Sequence, residues 1–358
     1  MRQEILRRAR AERSPGPAAF IPAGYIDLMP GSTSGAIAFH NGRFVPPHEL
    51  ALGFADAGFV SGAAVTDFCR TYRHELFRWP DHLARLRADC AAVRVPLPYS
   101  DTELTAAATQ VAAHNARSLA PGDDLALVTF ATPGPLAYMT GAAENGPPTI
   151  GMHTFPLPRE RYRRFFTEGA TLAVAGHAPT VGDGVPAGVK HRSRIHWWLA
   201  DRAVADPTSR FHCPGAVPAL VSPGGAADTP IGSVLVVAGD AVIRPIPGTA
   251  LESVSVNVVR ELCGPLGLTF RETGYDFARL CRPHDTGEEW PSTADVSEIL
   301  LAGSGFGVAG VRRAVFGAAV RDYEWPGPVL RGLQAAWSEL VGMDVERQWT
   351  GERGTSAP

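Results

Sequence analysis

Gly188-Val189-Lys190-His191-Arg192-Ser193-Arg194-Ile195-His196-Trp197-Trp198 holds the only lysine of a 358-residue chain; the other 32 of its 33 basic residues are arginine. A surface cation is served as well by arginine as by lysine. An amine that sheds its proton and attacks a carbonyl is not, because guanidinium stays protonated whereas a desolvated ammonium deprotonates readily. A sole lysine is therefore a candidate Schiff-base residue, with a stray surface cation as the plain alternative. Its setting favours the first reading. Ala170–Gly176 reads as a short buried strand, followed by a Pro/Gly-rich loop over 178–188. Beyond the lysine, Ile195, Trp198, Leu199 and Ala203 recur at helical spacing. Lys190 thus sits at a loop-to-helix junction, where ligand sites are commonly built.

With 45% hydrophobic residues the chain can bury a substantial core, and its length suits two domains. A net charge of −3 and a pI near 6.4 argue against a nucleic-acid partner. The five cysteines (Cys69, Cys90, Cys213, Cys263, Cys281) are odd in number and form no metal-ligand spacing, which implies reduced thiols in a cytoplasm. The N-terminus lacks an apolar leader and no run approaches about 18 apolar residues, so no export or membrane span is expected.

Residues 1–34 are Arg-rich and read as an arm outside the core. Residues 35–150 read as a small α/β domain: a hairpin turning at Asn41-Gly42, strands through Gly62–Tyr72 and Glu75–Arg78, helices over Asp81–Val93 and Asp101–Asn115, and a strand at Asp124–Ala131. Residues 151–158 are expected to be a linker, 159–345 a larger β-rich domain with helices, and 346–358 a flexible tail. Strands and helices in two blocks read as α+β.

Several motifs admit two readings each. Gly303-Ser304-Gly305-Phe306-Gly307 follows a strand, but the next segment looks extended, so it reads as a glycine turn or a phosphate-binding turn rather than a dinucleotide loop. The serines around Val254-Ser255 either cap a helix or help its N-terminus receive phosphate. Asp228 lies in a Gly/Ala/Pro loop, Arg85 on the polar flank of its helix, and Trp197 and Trp198 read as packing residues.

Taken together, these landmarks resemble the fold-type IV pyridoxal-phosphate enzymes, the class IV aminotransferase family with its branched-chain, D-amino-acid and aminodeoxychorismate lyase members. Asn41-Gly-Arg-Phe-Val45 looks like the family's opening strand, Asp67-Phe-Cys-Arg70 stands where many members carry Glu-x-x-Arg, and His82-Leu-Ala-Arg85-Leu86 is similar to its H-x-x-R-L helix. The resemblance implies Lys190 as the Schiff-base lysine and Asp228 as partner of the pyridine nitrogen. Arg85, Val254, Ser255, Gly303 and Ser304 then hold the phosphate of pyridoxal 5'-phosphate. It further implies amino-group transfer between an amino acid and a 2-oxo acid in a homodimer. Asp228 replaces the usual Glu, Ser253-Val254-Ser255 replaces Gly-Ile-Thr, and Ile195 stands where many members place a tyrosine. Lys190-His191 with Arg194 also resembles the lyase members, so a lyase is an alternative, and a catalytically retired binding subunit is another.

Overall fold

The computed structural model describes residues 35–120, 122–177, 187–222, 225, 227–277 and 296–351. The arm expected over 1–34, most of the loop before Lys190, and Cys281 lie outside the described residues. The Asn41-Gly42 hairpin forms β1 (Ala38–His40) and β2 (Arg43–Val45), with φ of 47° and 84° at the turn, a doubly left-handed pair that Asn-Gly supports. Next come β3 (Val65–Tyr72), β4 (Glu75–Leu76), α1 (Trp79–Ala92), α2 (Asp101–Ala116), β5 (Leu125–Thr132) and β6 (Thr149–Pro156). After these run α3 (Arg159–Thr167), β7 (Ala170–His177), α4 (Ile195–Ala205), β8 (Val217–Val221), β9 (Ala227–Asp228), β10 (Ser233–Ala238) and β11 (Ala241–Ile243). The rest is α5 (Val254–Cys263), β12 (Thr269–Arg271), β13 (Val296–Gly303), β14 (Gly307–Phe316), β15 (Ala319–Asp322), α6 (Pro328–Val341) and α7 (Val345–Thr350).

The first six strands make an antiparallel sheet in the order β2-β1-β6-β5-β3-β4. Leu83, Leu86 and Cys90 of α1 and Leu104, Ala108 and Val111 of α2 pack on its Val65, Leu127 and Met152. Burial of such a leucine stabilises by about 1.5–3 kcal/mol. A Ser100/Glu103 capping box starts α2.

The later strands run β12-β11-β10-β13-β14-β7-β8-β9, with β15 on the flank of β14. β9 also pairs with β10, so β10, β13, β14, β7, β8 and β9 close into a barrel. The closing seam is Asp228, opposite Leu220 on one side and Ser233 on the other. The α+β architecture read from the sequence is the one observed.

Four expectations are corrected. Residues 151–158, read as a linker, contain most of β6, whose buried Thr149–Met152 run is flanked by the Gly and Pro residues that disguise it. Residues 346–350, read as tail, are helical, with Asp344 as N-cap and Trp349 buried against Tyr162 and Phe166. Asp228, read as a loop residue, closes the barrel. Trp198, read as a packing residue, is 59% exposed on α4 beside Ile195 at 68% and Leu199 at 60%, while Ala200 and Val204 are buried.

Candidate active site

Lys190 is held by its backbone against the free edge of β3. Thr66 N–H donates to Lys190 O at 2.9 Å, and Arg192 N–H donates to Ala64 O at 2.8 Å. On its other side, Lys190 N–H donates to Asp89 Oδ2 at 3.0 Å. The lysine segment is thus a short additional strand of the six-stranded sheet, while the chain on either side of it belongs to β7, α4 and β8 of the barrel.

α1 carries two buried stripes. One is the apolar Leu83, Leu86 and Cys90; the other is His82, Arg85 and Asp89, spaced by a turn each so that they share a face. Asp67 on β3 gathers this polar stripe. Its Oδ2 accepts from Arg85 Nε at 2.9 Å and Nη2 at 2.7 Å, and its Oδ1 lies 2.6 Å from His82 Nδ1. Burial alone would raise the Asp67 carboxyl, but the Arg85 and His82 charges outweigh burial and hold it well below the usual carboxylate range. Arg85 Nη1 donates to Glu252 O at 3.0 Å. The guanidinium fork expected to be open to a phosphate is therefore largely committed to Asp67 and the main chain ahead of α5.

These elements, with the barrel, enclose a cavity of 860 Å³. Arg85, Lys190, Asp228, Gly303 and Ser304 all line it. Val254 and Ser255 are buried behind its wall, and Ser253, the α5 N-cap, lines the cavity in their place. The Ser253 hydroxyl makes no capping bond, and the first-turn N–H groups of α5 have no i−4 carbonyl inside the helix. Ser255 Oγ still stands 3.5 Å from Ser304 Oγ. A Cβ at Gly303 would lie 2.5 Å from Ile231 O, so only glycine permits this turn between β13 and β14. Gly305 O accepts from the buried Arg70 Nη1 at 3.2 Å.

Burial, assisted by the Arg85 charge, pushes the Lys190 amine down to about 7, with Asp67 and Asp228 opposing. Asp228 is pushed up to about 6 by burial, although its Oδ1 accepts from Thr229 N–H at 2.9 Å and Lys190 is near. Ser222 Oγ, Ser233 Oγ and His191 Nδ1 are buried on the cavity wall without a hydrogen-bond partner among the described residues. Such unpaired polar atoms are costly unless a ligand or water satisfies them. Asp89, Ser222 and Ser233 escaped the sequence reading; only the Asp89 spacing from His82 and Arg85 on one helix face signalled a role.

The amino-transferase class IV family model matches residues 64–314. The chain is similar to D-alanine aminotransferase of Staphylococcus aureus strain N315, 33% identical over 66 residues, covering 18% of this chain and 23% of that one. Against D-alanine aminotransferase of Bacillus licheniformis it is 29% identical over 121 residues, covering 33% and 40% of the two chains. The chain thus spans less than half the length of these curated relatives. Its fold is similar to that of branched-chain amino acid aminotransferase of Escherichia coli, with a TM-score of 0.67, 16% identity and coverage of 90% of this chain and 97% of that one. With its landmarks assembled on one cavity and the family match running from β3 into β14, the chain belongs to the amino-transferase class IV family, on the fold-type IV architecture.

Proposed function

We propose that the chain is a pyridoxal-phosphate-dependent aminotransferase, moving an amino group between an amino acid and a 2-oxo acid. The observation that carries this reading is the sole lysine, its pKa lowered to about 7, sharing one cavity with Asp228, Arg85 and Ser304. The donor set fits the cofactor. Lys190 would attach it, Asp228 would partner its ring nitrogen, and Arg85, Gly303, Ser304 and the Val254/Ser255 turn would hold its phosphate. The unpartnered Ser222, Ser233 and His191 atoms add hydrogen-bonding capacity on the same wall. When bound, the cofactor supplies an electron sink for the pair left on the substrate α-carbon.

The chain supplies binding and proton handling. An amine with a pKa near 7 exists in both protonation states at neutral pH, so Lys190 can take a proton at the α-carbon and return it. Asp228, ionised above about pH 6, can hold a proton on a ring nitrogen. The first turn of α5 aims backbone N–H groups and the positive end of a helix at an anion.

The exposed Phe54, Phe59 and Tyr138, and the Ile195/Trp198/Leu199 stripe of α4, are apolar surfaces that suit a homodimer. Four free cysteines among the described residues suit a cytoplasmic setting. No described helix is long and apolar enough to cross a membrane. Mixing holoenzyme with a panel of amino acids and following the cofactor spectrum through a single turnover tests the activity. A spectrum unchanged by every donor would sink it, and pyruvate release from aminodeoxychorismate without an acceptor would select the lyase instead.

A further inference from the structure

Arg70 is 1% exposed and does not line the cavity, yet its guanidinium ties the cavity wall to the last helix of the described chain. Nε donates to Thr71 O at 2.9 Å on its own strand. Nη1 donates to Gly305 O at 3.2 Å in the turn between β13 and β14, and Nη2 donates to Gln348 Oε1 at 2.7 Å on α7. Gln348 Nε2 donates in turn to Asp124 Oδ2 at 2.8 Å, and the same carboxylate oxygen stands 3.5 Å from Arg70 Nη2. Asp124 Oδ1 accepts from Thr71 Oγ1 at 2.7 Å and from His74 N–H at 3.0 Å. Balancing the buried charge needs only Asp124. Reaching Gly305 and Gln348 at once needs the planar fork of an arginine.

The bond to Gly305 O matters because of the peptide it grips. The Gly305–Phe306 peptide is held at both ends, its oxygen by Arg70 and its N–H by Gly303 O at 3.1 Å. The N–H groups of Ser304 and Gly305 make no hydrogen bond among the described residues, and both residues line the cavity. A Cβ on Gly305 would lie 2.6 Å from Tyr162 Oη, so the turn is walled as well as tied. Successive N–H groups of such a turn serve an anion only while its peptides keep one orientation. Glycine peptides rotate easily, so freeing Gly305 O would release a fixed set of donors. We propose that Arg70 is a positioning residue that keeps the Gly303–Gly305 turn in its anion-receiving form, and that α7, through Gln348, is part of the same device. The last described helix thus acts on the cavity without touching it.

This inference rests on the proposed role of the turn in holding the cofactor phosphate. The test compares binding of pyridoxal 5'-phosphate and of pyridoxal, which has the same ring and aldehyde but no phosphate, to the full chain freed of cofactor. No turnover is needed, so the outcome does not depend on which amino acids are donors. The preference of wild type for the phosphorylated form is expected to fall by about tenfold in Arg70→Lys and in Gln348→Met, on the scale of one charged hydrogen bond. Arg70→Lys keeps the charge and loses the fork, whereas Gln348→Met removes only polar atoms from a half-buried site. A general loss of stability would weaken both ligands together and leave their ratio unchanged. The phosphorus NMR signal of the bound cofactor is expected to shift in Gln348→Met although residue 348 lies outside the cavity. An unchanged ratio and an unchanged signal in both variants, with the preference intact in wild type, overturns the inference alone. Equal binding of the two ligands by wild type would overturn the phosphate role of the turn, and the inference with it.

Discussion

Asp89 Oδ2 accepts a hydrogen bond from the Lys190 backbone N–H at 3.0 Å, so a carboxylate on α1 sets where the only lysine of the chain projects. Asp89 is buried and burial raises its pKa. Asp89→Asn keeps an acceptor and is expected to retain most activity. Asp89→Leu removes it and leaves the N–H unpaired, at a cost of about 1–3 kcal/mol in stability. The Leu variant is also expected to lower kcat more than it raises KM. Equal kinetics for Asn and Leu would show that Asp89 does not position the lysine.

The Lys190 amine is expected to react with an acylating reagent in cofactor-free protein along a titration centred near pH 7 rather than near its ordinary 10.5. Peptide mass spectrometry locates the label without ambiguity, since no other lysine competes. The sign for stability follows: the unfolded chain holds this proton more tightly, so the cost of burying Lys190 is fully present below about pH 7. It is relieved as pH rises from about 7 toward 10.5. Labelling that rises only above pH 9 would place the amine in ordinary solvent.

Asp228→Asn is expected to leave the barrel closed, because the seam uses the main chain of residue 228. Turnover should nevertheless fall by roughly ten- to a hundredfold, the equivalent of about 1.5–3 kcal/mol for a charged hydrogen bond. Wild-type activity should also decline as pH falls through about 6 and the Asp228 carboxylate is protonated. A variant with unchanged kinetics and an unchanged acid limb would assign the role elsewhere.

Arg85→Ala removes the partner of Asp67 together with the proposed phosphate donor. An uncompensated buried carboxylate typically costs about 3–5 kcal/mol. Thermal unfolding of the variant should therefore drop sharply even without cofactor, and excess cofactor should restore activity only in part. A variant as stable as wild type, with cofactor affinity alone reduced, would show that the Asp67 pair contributes little to folding.

Trp349→Ala is expected to destabilise by about 3–5 kcal/mol, the range for a buried aromatic truncated to alanine. Trp349 packs on Tyr162 and Phe166 and lies near the buried Arg70 guanidinium. A melting temperature within a degree of wild type would return residues 345–350 to the status of a tail.

The readable parts of the sequence were those with strong local periodicity or turn chemistry. Asn41-Gly42 demands a left-handed turn, and the helix read over Asp81–Val93 is observed over Trp79–Ala92. Lys190 stood out as the sole lysine, Arg85, Asp228 and Ser304 were implied by the family resemblance, and all four line the cavity. What stayed hidden depends on contacts between distant segments. β9 is two residues long and exists only because β8 and β10 flank it. The exposure of Trp198 was not legible because helical spacing reports an apolar face without saying whether anything covers it. Asp67 and Arg85 both appeared as family landmarks, yet their pairing belongs to the fold of α1 on β3 rather than to either motif.

The lysine segment is sewn to the edge of β3, whereas Asp228 is sewn into the seam of the barrel. Amine and carboxylate therefore ride on different sheets, and their separation records the relative tilt of the two. Heat or denaturant that only loosens the packing between the two sheets, leaving every strand paired, would already pull the two groups apart. Inactivation should then run ahead of the far-UV circular dichroism transition, with catalysis serving as a strain gauge between two otherwise intact halves.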